Sequence, residues 1–199
     1  MFSLSRVEFR TSAIEGRGVF ATRRIEPGEL VVAYAPKQRR LPADSDEAME
    51  AARTKQTLLS ERRFVIVPDT SVPGGWLCNH SCAPNAALHS DGEGRVVATR
   101  SIAPGEEVTI FYGWVSEGEP ERDPCLCGAP TCRGFINFDL SPSDIDSIEI
   151  VDGGLATVDD ALRERLASYA AFLRSIGQEQ VQDAITAVVV RAKRRALAG

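Results

Sequence analysis

Two stretches of this chain nearly repeat one another, and they constrain the fold more than any other feature. "VFATRRIEPGELVVAY" (19–34) and "VVATRSIAPGEEVTIF" (96–111) are identical at 9 of 16 positions. Each reads as strand, turn, strand. Pro27-Gly28 and Pro104-Gly105 place proline at the second and glycine at the third position of a type II turn. The flanks are rich in β-branched and aromatic residues, as strands prefer. Turn chemistry alone can produce two convergent hairpins. The shared Ala-Thr-Arg-x-Ile approach to each turn favours two related β units.

The chain has 199 residues, enough for one domain with an extension or for two small domains. Its hydrophobic fraction of 43% supplies a substantial core. The formal charge of −5 argues against wholesale nucleic-acid binding, which needs a basic face. An acidic surface suits a basic partner, such as a Lys-rich peptide. The opening "MFSLSRVEFR" has no long apolar run and no small-residue cleavage site, so no secretion signal is expected. No stretch approaches the roughly 18 apolar residues of a membrane span. Five unevenly spaced cysteines fit a reducing interior better than a disulfide scaffold. These features predict a soluble, intracellular protein, with cytoplasm and nucleus both open.

Between the repeats, "SDEAMEAARTKQTLLSERR" (45–63) is predicted as a helix, and "FVIVPD" (64–69) as a strand. "VSEGEPERDP" (115–124) reads as a polar connection. After about residue 140 the texture becomes helical. "DDALRERLASYAAFLRSIG" carries apolar residues at 162, 166, 169, 173 and 176, the stripe of an amphipathic helix. Asp159 or Asp160 caps its start and Gly177 suits its end. A second helix is predicted over roughly 178–196, ending in basic residues that suit a helix C-terminus. In the simplest arrangement the helical pair packs on the main domain; a homodimer contact is the alternative.

Two stretches carry chemistry. "CLCGAPTCRGF" (125–135) puts three cysteines into eight positions, and a closed structural zinc site wants four thiolates or imidazoles. "WLCNHSCAPNAAL" (76–88) holds Cys78, Cys82, one of only two histidines and two asparagines. Pro84 breaks any helix there, and such a polar, irregular segment suits a site. From the residues alone, a polar loop with buried cysteines remains the competing reading.

"NHSCAPN" resembles the signature of SET-domain protein lysine methyltransferases. "EGRGVFATRRI" is similar to the family's Gly-x-Gly entry motif, and "GEEVTIFYG" to its Gly-Glu-Glu-Leu-Thr-Phe-Asp-Tyr segment. "CLCGAPTCRGF" resembles its post-SET C-x-C-x4-C motif. The four pieces occur in the family's order, from residue 16 to residue 135, over about two thirds of the chain. The resemblance implies an α+β, mainly β fold of small curved sheets (a β-clip). A pseudo-knot would bring "NHSC" beside the "FY" strand, and the repeat would supply one hairpin from each half. The implied layout is a SET domain over 1–115 with an inserted helix at about 45–63, a post-SET zinc segment over 116–140 and a C-terminal helical extension over 141–199.

The same resemblance implies S-adenosylmethionine as methyl donor and a lysine side chain as acceptor. It places the cofactor on Gly16, Arg17, Gly18, Asn79 and His80, with Leu126 a cover for the adenine. Glycines in the entry turn would let backbone approach the cofactor. Tyr112 matches the active-site tyrosine. Ile110 matches a position that helps set how many methyl groups fit, and Trp114 is a candidate wall of the lysine channel. The fourth ligand implied beside Cys125, Cys127 and Cys132 is Cys82, giving one structural zinc ion. Cys78, nearer the apolar "WL" pair, reads as a buried thiol. The expected partner is a protein with a lysine in a basic segment, histone three being the leading class, with no direct nucleic acid and no membrane. No cysteine-rich segment precedes residue 78, which weakens any requirement for a nucleosome. A non-catalytic SET module that binds peptide is the runner-up.

Residues 52–57, "ARTKQT", match the start of the mature histone three tail. Lys55 is therefore a candidate modified residue, methylated in trans or occupying the channel as an autoinhibitor. The competing reading is an ordinary solvated helix.

Overall fold

A computed structural model of the chain describes residues 6–42, 45–47, 58–60, 64–89, 94–112, 115–117, 124–136, 138–140, 144, 146–151, 154–157 and 159–175. Both predicted turns form: Gly28 and Gly105 have φ of 82° and 79°, the left-handed conformation that glycine adopts without steric cost. The strands flanking each turn, however, do not pair with each other. From the first copy come β2 (Arg17–Ala21) and β3 (Leu30–Ala33); from the second come β9 (Arg95–Ala98) and β10 (Glu107–Ile110). β2 pairs with β10, and β3 pairs with β9, both antiparallel. The expected hairpins are replaced by an exchange in which each copy completes the other's sheets.

The exchange is symmetric in its hydrogen bonds. Ile25 and Ile102, 77 positions apart, pair with each other: Ile25 N–H donates to Ile102 O (3.0 Å) and Ile102 N–H to Ile25 O (2.9 Å). Gly28 N–H donates to Ala98 O (2.8 Å), and Gly105 N–H donates to Ala21 O (2.7 Å). Ala98 N–H donates to Glu29 O and Ala21 N–H to Glu106 O, both at 3.0 Å. Ile25, Ile102, Val19, Val96 and Val108 are wholly buried. The repeated sequence thus buries one shared apolar centre, which neither copy can cover alone.

β1 (Val7–Thr11) lies on the outer side of β2, in register from Val7 opposite Ala21 to Thr11 opposite Arg17. On the other side of β10 runs the two-residue β7 (Asn79–His80), in parallel, with Thr109 beside Asn79 and Ile110 beside His80. The sheet order is β1-β2-β10-β7. β8 (Ala86–His89) joins β9 and β3 in a second sheet. A third sheet holds β4 (Gln38–Pro42), β6 (Phe64–Pro68) and β5 (Leu58–Ser60), in the order β4-β6-β5.

β6 confirms the strand expected from "FVIVPD", while β5 corrects the helix expected over 45–63. Leu58, Leu59 and Ser60 pair antiparallel with Ile66, Val65 and Phe64. Pairing with a β-branched strand outweighs the helix propensity of leucine, which is a weak prior. Asp46 and Glu47 are helical, and residues 48–57, including "ARTKQT", lie outside the described residues.

The described residues fall into two compact units. One comprises Met1–Phe111 with Leu126–Cys132 and holds the sheets above; the other comprises Tyr112–Cys125 with Arg133–Gly199. The second unit departs from the helical extension predicted after residue 140. β11 (Val115–Glu117) pairs in parallel with β12 (Phe138–Leu140), and β13 (Glu149–Val151) pairs antiparallel with β14 (Gly154–Thr157). The strands β13 and β14 flank Asp152-Gly153, the type of dipeptide that favours tight hairpins.

Helix α1 (Asp160–Ser175) then follows as the spacing predicts. The Asp159 carboxylate caps it by accepting from Leu162 N–H at 2.7 Å. Leu162, Leu166 and Ala170 are buried along one face. The buried Asp144 accepts from Arg165 through both oxygens, each at 2.8 Å. The predicted second helix lies outside the described residues. No helix among the described residues is long and apolar enough to cross a membrane.

Candidate active site and metal centre

The short β7 strand carries the centre of "NHSCAPN" into the main sheet. Its backbone pairing with β10 sets Asn79 beside Thr109 and His80 beside Ile110. Asn79 and His80 are both buried. The Asn79 amide nitrogen is turned inward: it donates to Glu107 Oε1 (2.8 Å), Glu15 O (3.1 Å) and Arg17 O (3.3 Å). Asn79 thereby stitches the 15–17 turn to the start of β10. The amide nitrogen is therefore committed to acceptors within the chain. The His80 ring packs tilted against Phe111 at 5.0 Å, and its Nε2 lies 3.6 Å from Cys82 Sγ.

The entry motif uses its two glycines differently. Gly16 is exposed, with φ of 50°, and makes the turn. Gly18 is buried within β2, and a Cβ there would come within 2.3 Å of Glu107 Oε1. The Glu107 carboxylate fills the space that a side chain at this position would need. Arg17 is exposed between them.

Glu107 received no role from the sequence. Besides Asn79, it accepts from Ser12 Oγ, which lies 2.8 Å from both carboxylate oxygens. The same Ser12 hydroxyl accepts from Ile14 N–H at 2.9 Å, and Ser12 N–H donates to Gly16 O at 3.0 Å. Asn85 was likewise unassigned. It is 1% exposed. Its amide donates to Glu106 Oε1 (3.0 Å) and Glu107 O (2.8 Å), and its Oδ1 accepts from Thr109 N–H (2.8 Å). It locks the end of "NHSCAPN" onto β10. The available signal was the type itself: a polar residue followed by a buried strand needs partners.

The cysteine run forms a loop closed by Cys125 N–H donating to Gly134 O at 3.0 Å and by a bridge between Pro124 and Phe135. The Sγ atoms of Cys82, Cys125, Cys127 and Cys132 lie within 4.8 Å of one another. Four thiolates at zinc distance in a tetrahedron stand about 3.8 Å apart, so this donor set fits a closed structural site. Cys82 N–H points at Cys127 Sγ at 3.5 Å, a donor suited to a ligating thiolate. Cys78 stands outside the cluster. Burial pushes its thiol far up, and the Glu107 charge adds to this, so it stays protonated.

Tyr112 follows the buried Ile110 and Phe111 and is half-buried. Leu126, between two of the cysteines, is 63% exposed, the exposed large hydrophobic side chain among the described residues. Trp114 and Lys55 lie outside the described residues.

Residues 16–113 match the SET domain family. Over 144 residues the chain is 38% identical to a protein of Cryptococcus neoformans named histone-lysine N-methyltransferase, H3 lysine-4 specific, covering 66% of this chain and 10% of that protein. A Saccharomyces cerevisiae protein of the same name is 36% identical over 143 residues, covering 66% of this chain and 13% of its own. Human histone-lysine N-methyltransferase 2B is 34% identical over 134 residues, 63% of this chain and 5% of that protein. The chain spans about a tenth of the length of these curated relatives. The match over 16–113, with the strand exchange and the parallel β7–β10 pair inside it, shows that the chain belongs to the SET-domain family.

Proposed function

We propose that the chain is a protein-lysine N-methyltransferase that uses S-adenosylmethionine, with histone three as the leading substrate class. The observation that carries this is the β7–β10 pair, which sets Asn79-His80 against the strand that runs into Phe111-Tyr112. The relatives' names point to lysine in histone three, and the net charge of −5 suits a basic segment.

The cofactor, when bound, supplies an electrophilic methyl group on a sulfonium. Backbone of the 16–18 turn and of Asn79-His80 would hold it, and the exposed Leu126 would cover its adenine. The acceptor must be a neutral amine, although a free lysine has a pKa of about 10.4. A narrow apolar channel disfavours the ammonium, and the proton leaves to water before attack. The chain then contributes mainly alignment. Tyr112 orients the amine through its hydroxyl and flanks the methyl's path. Ile110 and Trp114 would bound the channel, and Cys82, Cys125, Cys127 and Cys132 would hold one zinc ion that fixes the cysteine loop.

Radiolabelled methyl transfer onto core histones and onto a lysate, comparing wild type with Tyr112→Phe, tests the assignment. Wild type should label a lysine, and the variant should lose about a hundredfold in rate, the scale of removing one well-placed donor from a transition state. Equal rates would remove Tyr112 from the chemistry. Labelling confined to a non-histone band would move the substrate class, and label on Lys55 would establish self-methylation.

A further inference from the structure

We infer that Glu107 is a positioning residue for the cofactor pocket, acting as a buttress that holds the 12–18 turn and Asn79 together from behind. This rests on the reading of that turn and of Asn79 as the cofactor-holding surface.

Both side chains that donate to the Glu107 carboxylate belong to this surface. Asn79 Nδ2 reaches Oε1 at 2.8 Å, and Ser12 Oγ sits 2.8 Å from both oxygens. Bonds to an ionised carboxylate are the stronger kind. Ser12 passes the constraint into the turn through Ile14 N–H and Gly16 O. Asn79 passes it into the carbonyls of Glu15 and Arg17. The carboxylate occupies the volume that a Cβ at Gly18 would take. Glu107 itself is fixed because its backbone lies opposite Phe20 and accepts from the buried Asn85. A rigid element thus holds, through one carboxylate, a turn whose residues 12–16 lie outside the strands β1 and β2.

Glu107→Gln keeps the volume and an oxygen for Asn79, but Ser12 then faces an amide donor and must turn its hydroxyl to accept, so its bond to a charged carboxylate is lost. Gly18→Ala attacks the same contact from the other side. In the ligand-free full chain, amides 13–17 should exchange with deuterium about tenfold faster in Glu107→Gln, the scale of one lost charged bond. Calorimetric binding of S-adenosylmethionine should weaken about tenfold in each variant, and the double variant should be little worse than either, as for two lesions at one contact. The KM for the cofactor should rise while kcat at saturation stays within about twofold, because a positioning role acts on binding. Unchanged exchange, or faster exchange with unaltered cofactor affinity, would overturn the inference. Independent, additive losses from the two substitutions would overturn it too. A wild-type chain that binds no cofactor would overturn the functional reading first, and this inference with it.

Discussion

At the scale of single residues, Cys78 and Cys82 stand four positions apart and do different things. Cys78 is sealed in the core and held protonated by burial. Cys82 shares a thiol cluster with three cysteines from another part of the chain. Metal content measured after purification should separate them: Cys82→Ser should lose the zinc, and Cys78→Ser should retain a full equivalent. The reverse result would mean that the wrong cysteine has been assigned. The three clustered cysteines were legible from spacing alone, because two ligands on a short loop need little else. The fourth came from resemblance to a family, since nothing in "CNHSC" ranks one cysteine over the other. Glu107 and Gly18 were harder still. Their contact exists only because β2 and β10 lie side by side, a pairing that neither local sequence declares.

The two turn elements carry a matched pair of carboxylates. Glu29 accepts from Glu26 N–H at 2.8 Å and from Arg23, and Glu106 accepts from Ala103 N–H at 2.8 Å and pairs with Arg100. The Glu26 N–H, followed by the Arg23 guanidinium, holds the Glu29 carboxyl below its ordinary value. Partial burial pushes Glu106 up, but Ala103 N–H, Asn85 and Arg100 together outweigh it and leave it lowered. Carboxylates lowered on folding stabilise the native state above their unfolded pKa and lose that contribution as the pH falls through the folded value. The melting temperature should therefore drop as pH is taken below about 4.5. The Glu29→Gln, Glu106→Gln double variant should start lower at neutral pH and show a shallower acid dependence. An acid limb identical to wild type would show that these turns do not sense pH.

Elements also show where sequence patterns run out. Helix α1 was legible because its stripe and its Asp159 cap are local signals. The β5 strand was not, because Leu58-Leu59 suits either state until β6 offers its edge. β13 and β14 were overlooked beside the stronger helical pattern that follows them.

For the molecule as a whole, the clustered thiols and the buried centre draw on different residues. The cluster draws Cys82 to residues 125–132, whereas Ile25, Ile102, Val19 and Val108 are buried within the exchanged strands. Titration with a strong chelator should abolish methyl transfer at concentrations that leave the β-sheet circular dichroism intact, because metal binding couples to the local loop more than to that core. Simultaneous loss of both signals would make the metal a requirement for the entire fold.

The pairing of Ile25 with Ile102 has a further consequence, for the order in which the protein can be made. A ribosome adds roughly 5–20 residues per second, so the first repeat waits several seconds for the second to emerge. During that wait β2 and β3 have unsatisfied edges and an uncovered apolar face, the condition that invites pairing with other chains. The intervening 38–68 segment, whose strands pair among themselves, is the part that can close early. Two nascent chains held side by side could each supply the other's missing repeat. Crowded synthesis should therefore yield strand-exchanged dimers that keep the β2–β10 and β3–β9 pairs with partners from two chains, a species that size-exclusion chromatography of freshly made protein would separate from monomer.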